Sequence, residues 1–332
     1  MPTHADFAAI VPDVLGMYGL WPYGEPEPVP GGTLNWNFHV RTDGGEYFLR
    51  RCRDDLETPR IRGEHALVKW VAERGVPAPV PETAPERGTI AEIAGGRWAL
   101  YPWVDGEVRP RGSLTSAQAR TLGLAHGAIQ AVLALHPDSR GASMTQRWDA
   151  AQSRVLLVRI LDMARSQAEE SWLVEGIETQ LRLLDGWDVL PPEAFASLPA
   201  QVLHGDFHDQ QVLWDGDDIA AVVDWEIWHT GARVWELVRS LSFSLLLDSP
   251  LLEDYLDGYR RFVTLSEAEC RLGLQLWWQS RVVGCWAWQA CFLEGNQRVR
   301  DFFPEMVRGL ERVADPARRS AIEERFVRAA CG

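Results

Sequence analysis

The segment LHGDFHDQQVLWDGDDIAAVVDWE, residues 203–226, decides the fold of this chain. Its apolar runs VLW and IAAVV flank the turn-forming letters DGDD, a pattern that predicts a tight β-hairpin. Such a hairpin would carry Asp224, at the end of its second strand, back beside the loop that begins HGD. We therefore expect Asp206 and Asp224 to converge, with Gln211 between them in the chain.

Two converging carboxylates and an amide are the groups expected of a site that combines a base with a metal ion. One carboxylate would orient a hydroxyl and accept its proton, while the other carboxylate and the amide oxygen would hold Mg²⁺ against phosphates. Mg²⁺ fits this set better than zinc does, because all the ligands are hard oxygens. The segment therefore favours phosphoryl transfer.

The order and spacing of these motifs resemble those of the aminoglycoside phosphotransferase family, small-molecule kinases with a protein-kinase-like fold. That family has a catalytic loop of the form H-G-D-x-x-x-x-N and a metal-binding strand end of the form hydrophobic-D-W/F-E/D. Here they stand as HGDFHDQQ from His204 and as VDWE from Val223. The resemblance implies Asp206 as the catalytic base, Gln211 and Asp224 as metal ligands, and ATP and Mg²⁺ as cofactors.

The resemblance also implies a nucleotide site in the first hundred residues. The turn in GGTLNWNFHV would meet phosphate with its backbone N–H groups. In YFLRRC an arginine takes the family's phosphate-binding lysine position, and a glutamate of the following helix would hold this cation. ALYPWVDGE resembles the family's hinge, whose backbone would meet the adenine edge. The candidate nucleotide-binding residues are Gly31, Gly32, Thr33, Asn35, Phe48, Arg50, Glu64, Tyr101, Pro102 and Trp103.

The chain changes character near residue 100. Before it, two strand pairs surround Gly-containing turns, and a helix is predicted at about 59–74. After it, the pattern is mainly helical: Thr115 and Gln118 form a capping box, and Ser266 and Glu269 cap a long helix expected to run to Gly295.

We therefore expect an α+β, bilobal protein-kinase-like fold with a small β-rich N-lobe and a larger, mainly helical C-lobe. Residues 1–100 would form the nucleotide-binding lobe, 101–107 the hinge, and 108–332 the catalytic and acceptor-binding lobe.

Candidate acceptor-binding residues follow the catalytic loop and lie on the long predicted helix. On that helix, Trp277, Arg281 and Trp288 fall near one stripe, which equally describes a core stripe. A buried arginine wants an acidic partner, which could be a structural carboxylate or an anionic group of the substrate. The candidates are His208, Asp209, Glu226, Trp228, Arg281 and Trp288.

The acceptor itself is less well defined. The acidic balance and the family favour an amine-bearing or sugar-like alcohol such as an aminoglycoside. Homoserine, choline or another small alcohol are alternatives.

The amino-acid composition argues against several classes of binding partner. A net charge of −14 argues against nucleic acid or an anionic membrane surface, and no apolar run approaches the ~18 residues that span a bilayer. Five cysteines without a CxxC pair, and an N-terminus unlike a signal peptide, favour the cytoplasm. The expected partner is a small-molecule alcohol, and the oligomeric state is left open.

Two other functions fit parts of the pattern. HGDFH could be an H-x-D-x-H metal cluster of a hydrolase, for which only His229 offers a further ligand. Gln211 stands where the family has asparagine, so a nucleotide-binding pseudokinase is the non-enzymatic alternative. Glutamine keeps the amide oxygen that Mg²⁺ needs but adds one methylene. His204 and Glu236 are expected to support the loop, and Lys69, the only lysine, to be a solvated helix residue.

Overall fold

The computed structural model describes residues 3–30, 34–85, 88–144 and 148–332. Contacts divide the chain into two compact units, each treated by itself below. The first unit comprises Met1–Pro110 and Gln210–Trp228, and the second comprises Arg111–Asp209 and His229–Gly332. Within the described ranges, no helix combines the length and the apolar character needed to cross a membrane.

The regular elements are numbered in chain order. The strands are β1 (Glu27–Pro28), β2 (Trp36–Thr42), β3 (Gly45–Arg51), β4 (Ala91–Ile93), β5 (Gly96–Pro102), β6 (Ala200–Leu203), β7 (Val212–Asp215), β8 (Asp218–Val222) and β9 (His229–Ala232). The helices are α1 (His4–Ala8), α2 (Val11–Met17), α3 (Thr58–Ala72), α4 (Ser116–Leu133), α5 (Ala150–Ser166), α6 (Ser171–Gly186), α7 (Arg233–Ser244), α8 (Leu252–Tyr259), α9 (Glu267–Val283), α10 (Trp286–Phe292), α11 (Phe303–Ala314) and α12 (Pro316–Cys331).

A five-stranded antiparallel sheet forms the centre of the first unit, with strand order β1-β2-β3-β5-β4. Both predicted hairpins are present, β2–β3 closing at Thr42 and Gly45, and β4–β5 closing at Ile93 and Gly96. Alternating apolar side chains of β2, β3 and β5 point to one face, where α2 packs on them. This core contains Val11, Val14, Leu15, Tyr18, Phe38, Val40, Leu49, Ala84, Ala91, Trp98 and Leu100.

Helix α3 matches the predicted helix at about 59–74. Pro59 lies in its first turn, where a missing N–H costs nothing, and Gly75 follows it with a φ of 87°. Its buried face carries apolar residues together with Glu64, while Lys69 is exposed as predicted.

The predicted hairpin of the opening segment is formed by β7 and β8 and belongs to the first unit. Two backbone attachments hold it there. The Val222 N–H donates to the Pro77 carbonyl at 2.7 Å, and Glu107 and Trp214 exchange two hydrogen bonds of 2.9 Å. The hairpin is therefore fixed to the segments that precede and follow the sheet.

The second unit is mainly helical, with one short antiparallel pair, β6–β9. Helix α4 begins at the predicted capping box, in which Thr115 Oγ1 accepts from the Gln118 N–H at 3.2 Å and the Gln118 side chain accepts from the Thr115 N–H at 3.0 Å. Helix α4 packs closely on α8. A Cβ at Gly123 would stand 1.9 Å from the Tyr255 carbonyl oxygen, so only glycine permits this approach.

The prediction of one helix running to Gly295 is wrong. Helix α9 begins at the predicted Ser266 cap but ends at Val283, and α10 follows as a separate helix. The cause lies on another helix: Gln180 Nε2 of α6 donates to the carbonyls of residues 281, 282 and 284 at 3.3, 3.0 and 2.8 Å. These bonds satisfy the last carbonyls of α9, so the helix can stop there.

Candidate active site

The HGD loop follows β6 in the second unit and is braced by Glu236 of α7. Gly205 has a φ of 91°, and its N–H donates to Glu236 Oε1 at 2.6 Å. Burial opposes the charge of Glu236, but hydrogen bonding to His126 and to the Gly205 N–H lowers its pKa to about 2. The bracing contact expected from the sequence is therefore present, and it is made by a charged carboxylate.

Asp206 is held by two cationic or polar neighbours. Its Oδ1 forms an ion pair with Arg239 Nη1 and lies 3.4 Å from His208 Nε2. Burial would raise the pKa of Asp206, but Arg239 and His208 outweigh it and hold that pKa well below its usual value. The Asp206 N–H also donates to His204 Nδ1 at 3.2 Å, so the buried His204 supports the loop. Asp206 is thus charged at neutral pH and placed to accept a hydrogen bond.

His208 and Asp209 continue this cluster. His208 Nδ1 lies 3.6 Å from Asp209 Oδ1, and its ring stacks on Phe243 with 5.5 Å between centroids. Burial would lower the pKa of His208, but the two carboxylates raise it. Asp209 is fully buried, and its N–H donates to Ser244 Oγ at 3.0 Å. Asp209 is therefore positioned to orient His208.

Three arginines lie around the Phe243 ring, on which His208 stacks. The guanidinium carbons of Arg239, Arg111 and Arg281 lie 4.6, 5.6 and 5.9 Å from its centroid. Only Arg281 was a candidate from the sequence. The position of Arg239, one turn after Glu236 on the same helix, was a local signal that could have found it. Arg111 had no such signal, because its neighbours come from distant helices.

In the first unit, Arg50 and Glu64 form the ion pair that the sequence predicts. Arg50 Nη2 lies 2.6 Å from Glu64 Oε1 and donates to the Tyr101 hydroxyl at 2.7 Å. Burial opposes the charge, but Glu64 holds the pKa of Arg50 well above its usual value. Among the described residues, the buried Arg50 Nε has no hydrogen-bond partner. A buried cation with an unused donor fits a site for an anionic ligand.

The other predicted nucleotide-binding residues lie around this pair or outside the described residues. Phe48 is partly buried, 6.2 Å from the Tyr101 ring, and the Trp103 N–H donates to the Glu46 carbonyl at 3.1 Å. Contacts of the Tyr101–Pro102–Trp103 backbone with adenine stay a prediction. Gly31, Gly32 and Thr33 lie outside the described residues.

Glu226 joins the sheet and α3 within the first unit. Its Oε2 accepts from Asn35 Nδ2 at 2.6 Å, and its Oε1 lies 3.7 Å from Arg53 Nη1. Arg60 donates to the Glu226 and Trp228 carbonyls and lies over the Trp228 ring at 4.6 Å. Of the expected acceptor-binding residues, Glu226 and Trp228 are therefore already engaged in the first unit.

The β7–β8 hairpin brings Gln211 and Asp224 together. The Val223 N–H donates to the Gln211 carbonyl at 2.9 Å, and Asp224 follows with a φ of 63°, a left-handed conformation that aspartate tolerates better than most residues. An amide and a carboxylate oxygen on adjacent backbone form the hard donor set that Mg²⁺ prefers. The residues present therefore fit a Mg²⁺ ion, and the convergence of Asp206 with Asp224 stays a prediction.

The hydrolase alternative gains no support. Within the described ranges, no group of three His, Cys, Asp or Glu side chains is arranged to hold a metal ion.

Comparison with known proteins identifies the family. The model of the APH phosphotransferase enzyme family matches residues 25–271. The chain belongs to this family. It is a small-molecule phosphotransferase, and the prediction of an α+β, protein-kinase-like fold is confirmed.

Individual members of the family are distant relatives. A homoserine kinase of Chelativorans sp. (strain BNC1) is 24% identical over 240 residues, which cover 68% of each chain. The structure of spectinomycin phosphotransferase APH(9)-Ia in complex with ADP and spectinomycin is 15% identical, covers 96% of this chain and 98% of its own, and has a TM-score of 0.62. A microcompartment-associated aminopropanol kinase is 17% identical, covers 98% and 99%, and has a TM-score of 0.59.

One expected acceptor-binding residue of this phosphotransferase is a core residue. Because α9 ends early, Trp288 lies on α10, fully buried, with its Nε1 donating to Gln180 Oε1 at 2.8 Å. Its ring centroid lies 4.3 Å from that of Phe303. The predicted single stripe from Trp277 through Arg281 to Trp288 is therefore wrong, and the structure does not bring Trp288 to the cluster around Phe243.

Proposed function

We propose that the protein transfers the γ-phosphate of Mg-ATP to a hydroxyl group of a small molecule. The observation that carries this proposal is Asp206, kept charged by Arg239 on a loop that Glu236 braces. A charged carboxylate with a low pKa is a weak proton acceptor in the ground state but a strong hydrogen-bond acceptor. That suits phosphoryl transfer, in which the nucleophile must be oriented before much charge develops on it.

The chain has candidate residues both for holding Mg-ATP and for orienting the acceptor hydroxyl. Arg50, fixed by Glu64, would contact phosphate oxygens through its unused donors, and Gln211 and Asp224 would hold Mg²⁺. The ion would neutralise charge on the phosphates. Asp206 would accept the hydroxyl proton as the acceptor oxygen bonds to the γ-phosphorus and the bond to the β,γ-bridging oxygen breaks, releasing ADP.

The domain roles follow from the same proposal. Residues 1–100 would act as the nucleotide-binding lobe, 101–107 as the hinge, and 108–332 as the catalytic and acceptor-binding lobe, although residues 210–228, which carry Gln211 and Asp224, group with the first compact unit. We also expect the enzyme to work in the cytoplasm, where ATP is available.

An acceptor screen tests the proposal. Purified protein is incubated with ATP and a panel of small alcohols, and ADP release is followed with and without Mg²⁺. We expect release that needs both an acceptor and Mg²⁺. Absence of ADP release with every acceptor, or equal release without Mg²⁺, would contradict the proposal.

A further inference from the structure

Three guanidinium groups of the second unit converge on one aromatic ring beside Asp206. Arg239 reaches it from α7, Arg281 from α9, and Arg111 from the start of the unit, at 4.6, 5.9 and 5.6 Å from the Phe243 centroid. Arg239 also forms the ion pair with Asp206. The place where an acceptor hydroxyl would be oriented is therefore lined by three cationic side chains together with the carboxylates of Asp206 and Asp209.

The carboxylates nearby are engaged by the other two arginines and by His208, and Arg281 is left, among the described side chains, without an ion-paired acid. Arg239 is paired with Asp206 and Arg111 with Glu305. Among the residues that the structure describes, no Asp or Glu side chain forms an ion pair with Arg281. Burial and the like charge of Arg239 lower the pKa of Arg281 to about 10, so it still carries a full charge at neutral pH.

Packing explains only part of this arrangement. Arg281 also lies 5.5 Å from the Trp277 centroid, and two aromatic faces offset some of its lost hydration. Other arginines of the same unit satisfy this need with an acid, as Arg233 does with Glu269 and Arg300 with Glu169. A half-buried cation without an acid, held beside two like charges, is costly unless an anion joins it.

We propose that Arg281, together with Arg111 and Arg239, binds an oxyanion group of the acceptor, a carboxylate or a phosphate, while the acceptor hydroxyl is presented to Asp206. The acceptor class is therefore a hydroxylated acid. Planar guanidinium groups bind such anions through two parallel hydrogen bonds, which would also fix the distance from the anion to the reacting hydroxyl. This inference rests on the proposed function and names the substrate class of that same site.

The inference points away from the amine-rich acceptor that the acidic composition favoured. A polycation would meet three arginines at close range, and like charges repel strongly where water is partly excluded. The net charge of −14 is a property of the whole surface and does not describe this cluster.

Matched acceptors test the charge requirement. Homoserine is compared with homoserine amide and with aminopropanol, which lack the carboxylate charge, and glycerol phosphate is compared with glycerol. We expect kcat/KM to be at least about 10-fold higher for the anionic member of one pair, the range of one charge-assisted hydrogen bond. The pair that shows the preference separates a carboxylate from a phosphate. Equal or better turnover of the neutral and cationic members would overturn the inference and leave the proposed function standing.

Substitutions on α9 test whether Arg281 causes the preference for anionic acceptors. Arg281→Met should reduce the preference for the anionic acceptor about 10- to 100-fold, mainly through KM, and Arg281→Lys should restore part of it. Arg271→Met is the matched control, because Arg271 lies on the same helix, is exposed and pairs with Glu323. A preference unchanged in Arg281→Met would remove Arg281 from the site.

A binding measurement tests the anion site independently of phosphate transfer. Isothermal titration calorimetry should show saturable binding of the anionic acceptors to the wild type and to Arg271→Met but not to Arg281→Met. If no acceptor releases ADP, saturable binding that is lost in Arg281→Met still supports the anion site while the proposed function fails. If no anionic compound of the panel binds the wild type, the inference is wrong.

Discussion

Asp206, the proposed base, is kept charged by its ion pair with Arg239. Replacing it with asparagine keeps its size and removes the charge that would orient the acceptor under the proposed function. We expect Asp206→Asn to bind nucleotide nearly as well as the wild type and to transfer phosphate about 10²- to 10⁴-fold more slowly. ADP release measured beside nucleotide-induced stabilisation separates the two effects. Near-normal turnover would remove Asp206 from its assigned role.

The ion pair also predicts a pH effect. Arg239 holds the pKa of Asp206 below its usual value, so the active, charged form persists as the solution is acidified. In Arg239→Met burial remains while the main opposing charge is lost, so the pKa of Asp206 should rise. The acidic limb of kcat/KM should therefore move to higher pH in the variant. A limb that stays in place in Arg239→Met would show that Arg239 does not set the charge of Asp206.

Gln211 is predicted to be a working metal ligand. Its carbonyl accepts a hydrogen bond from the Val223 N–H, next to Asp224, and its side chain carries an amide oxygen that could bind the ion. Gln211→Ala should raise the Mg²⁺ concentration needed for half-maximal ADP formation and lower turnover, while Gln211→Asn keeps partial activity. Mg²⁺ titrations of the three proteins decide this. If Gln211→Ala titrates like the wild type, the amide is not a ligand.

For single residues, the sequence predicted the contacts of those that belong to a recognisable motif. Arg50 and Glu64 pair as expected, and Gly205 is braced by Glu236 as expected. Arg239 was missed although it lies one turn after Glu236, because its ion-pair partner, Asp206, is on another segment. An unpaired buried charge is likewise a property of the surroundings and cannot be read from one helix.

Among the elements, the contact of α4 with α8 is set by glycine. The Tyr255 carbonyl occupies the space that a Cβ at Gly123 would need. Because this carbonyl belongs to the backbone of α8, it cannot move aside as a flexible side chain could. We expect Gly123→Ala to lower the free energy of unfolding by about 1–3 kcal/mol or more. Gly186→Ala on α6 is the control, since nothing lies within 4 Å of its Cβ, and it should change stability by about 0–1 kcal/mol in the favourable direction. Urea unfolding of both variants measures the difference, and equal stabilities would show that the helices can separate without cost.

Helix beginnings were predictable and one helix end was not. The Thr115–Gln118 box and the Ser266 cap are formed by residues three apart, so the sequence alone shows them. The end of α9 depends on Gln180, about a hundred residues earlier in the chain. The helical pattern of residues 267–294, with glycines at 273 and 284, does not reveal hydrogen bonds to its carbonyls from a side chain of another helix.

For the whole molecule, the least predictable feature was the grouping of residues 210–228 with the first unit. Sequence order puts this hairpin inside the helical half of the chain. Backbone hydrogen bonds from Val222 to Pro77 and between Glu107 and Trp214 decide the grouping. These hydrogen bonds join backbone groups, which every residue type has. The pattern of residue types therefore does not predict them.

Nucleotide binding should stabilise the molecule as a whole against unfolding. A ligand that binds only the folded state adds RT ln(1 + [L]/Kd), about 2.7 kcal/mol at about 100 times Kd. ATP alone should raise the melting temperature modestly, and ATP with Mg²⁺ should raise it clearly, because Gln211 and Asp224 would hold the ion under the proposed function. Removing Arg50 alone would leave Glu64 buried without its cation and could unfold the protein for that reason. The informative variant is therefore Arg50→Met with Glu64→Met, which should fold and lose most of the nucleotide-induced shift. Its control is Arg41→Ala with Glu27→Ala, an exposed ion pair of the same unit 2.9 Å long, which should keep the full shift. A double Arg50–Glu64 variant with an undiminished shift would show that the nucleotide does not use this pair.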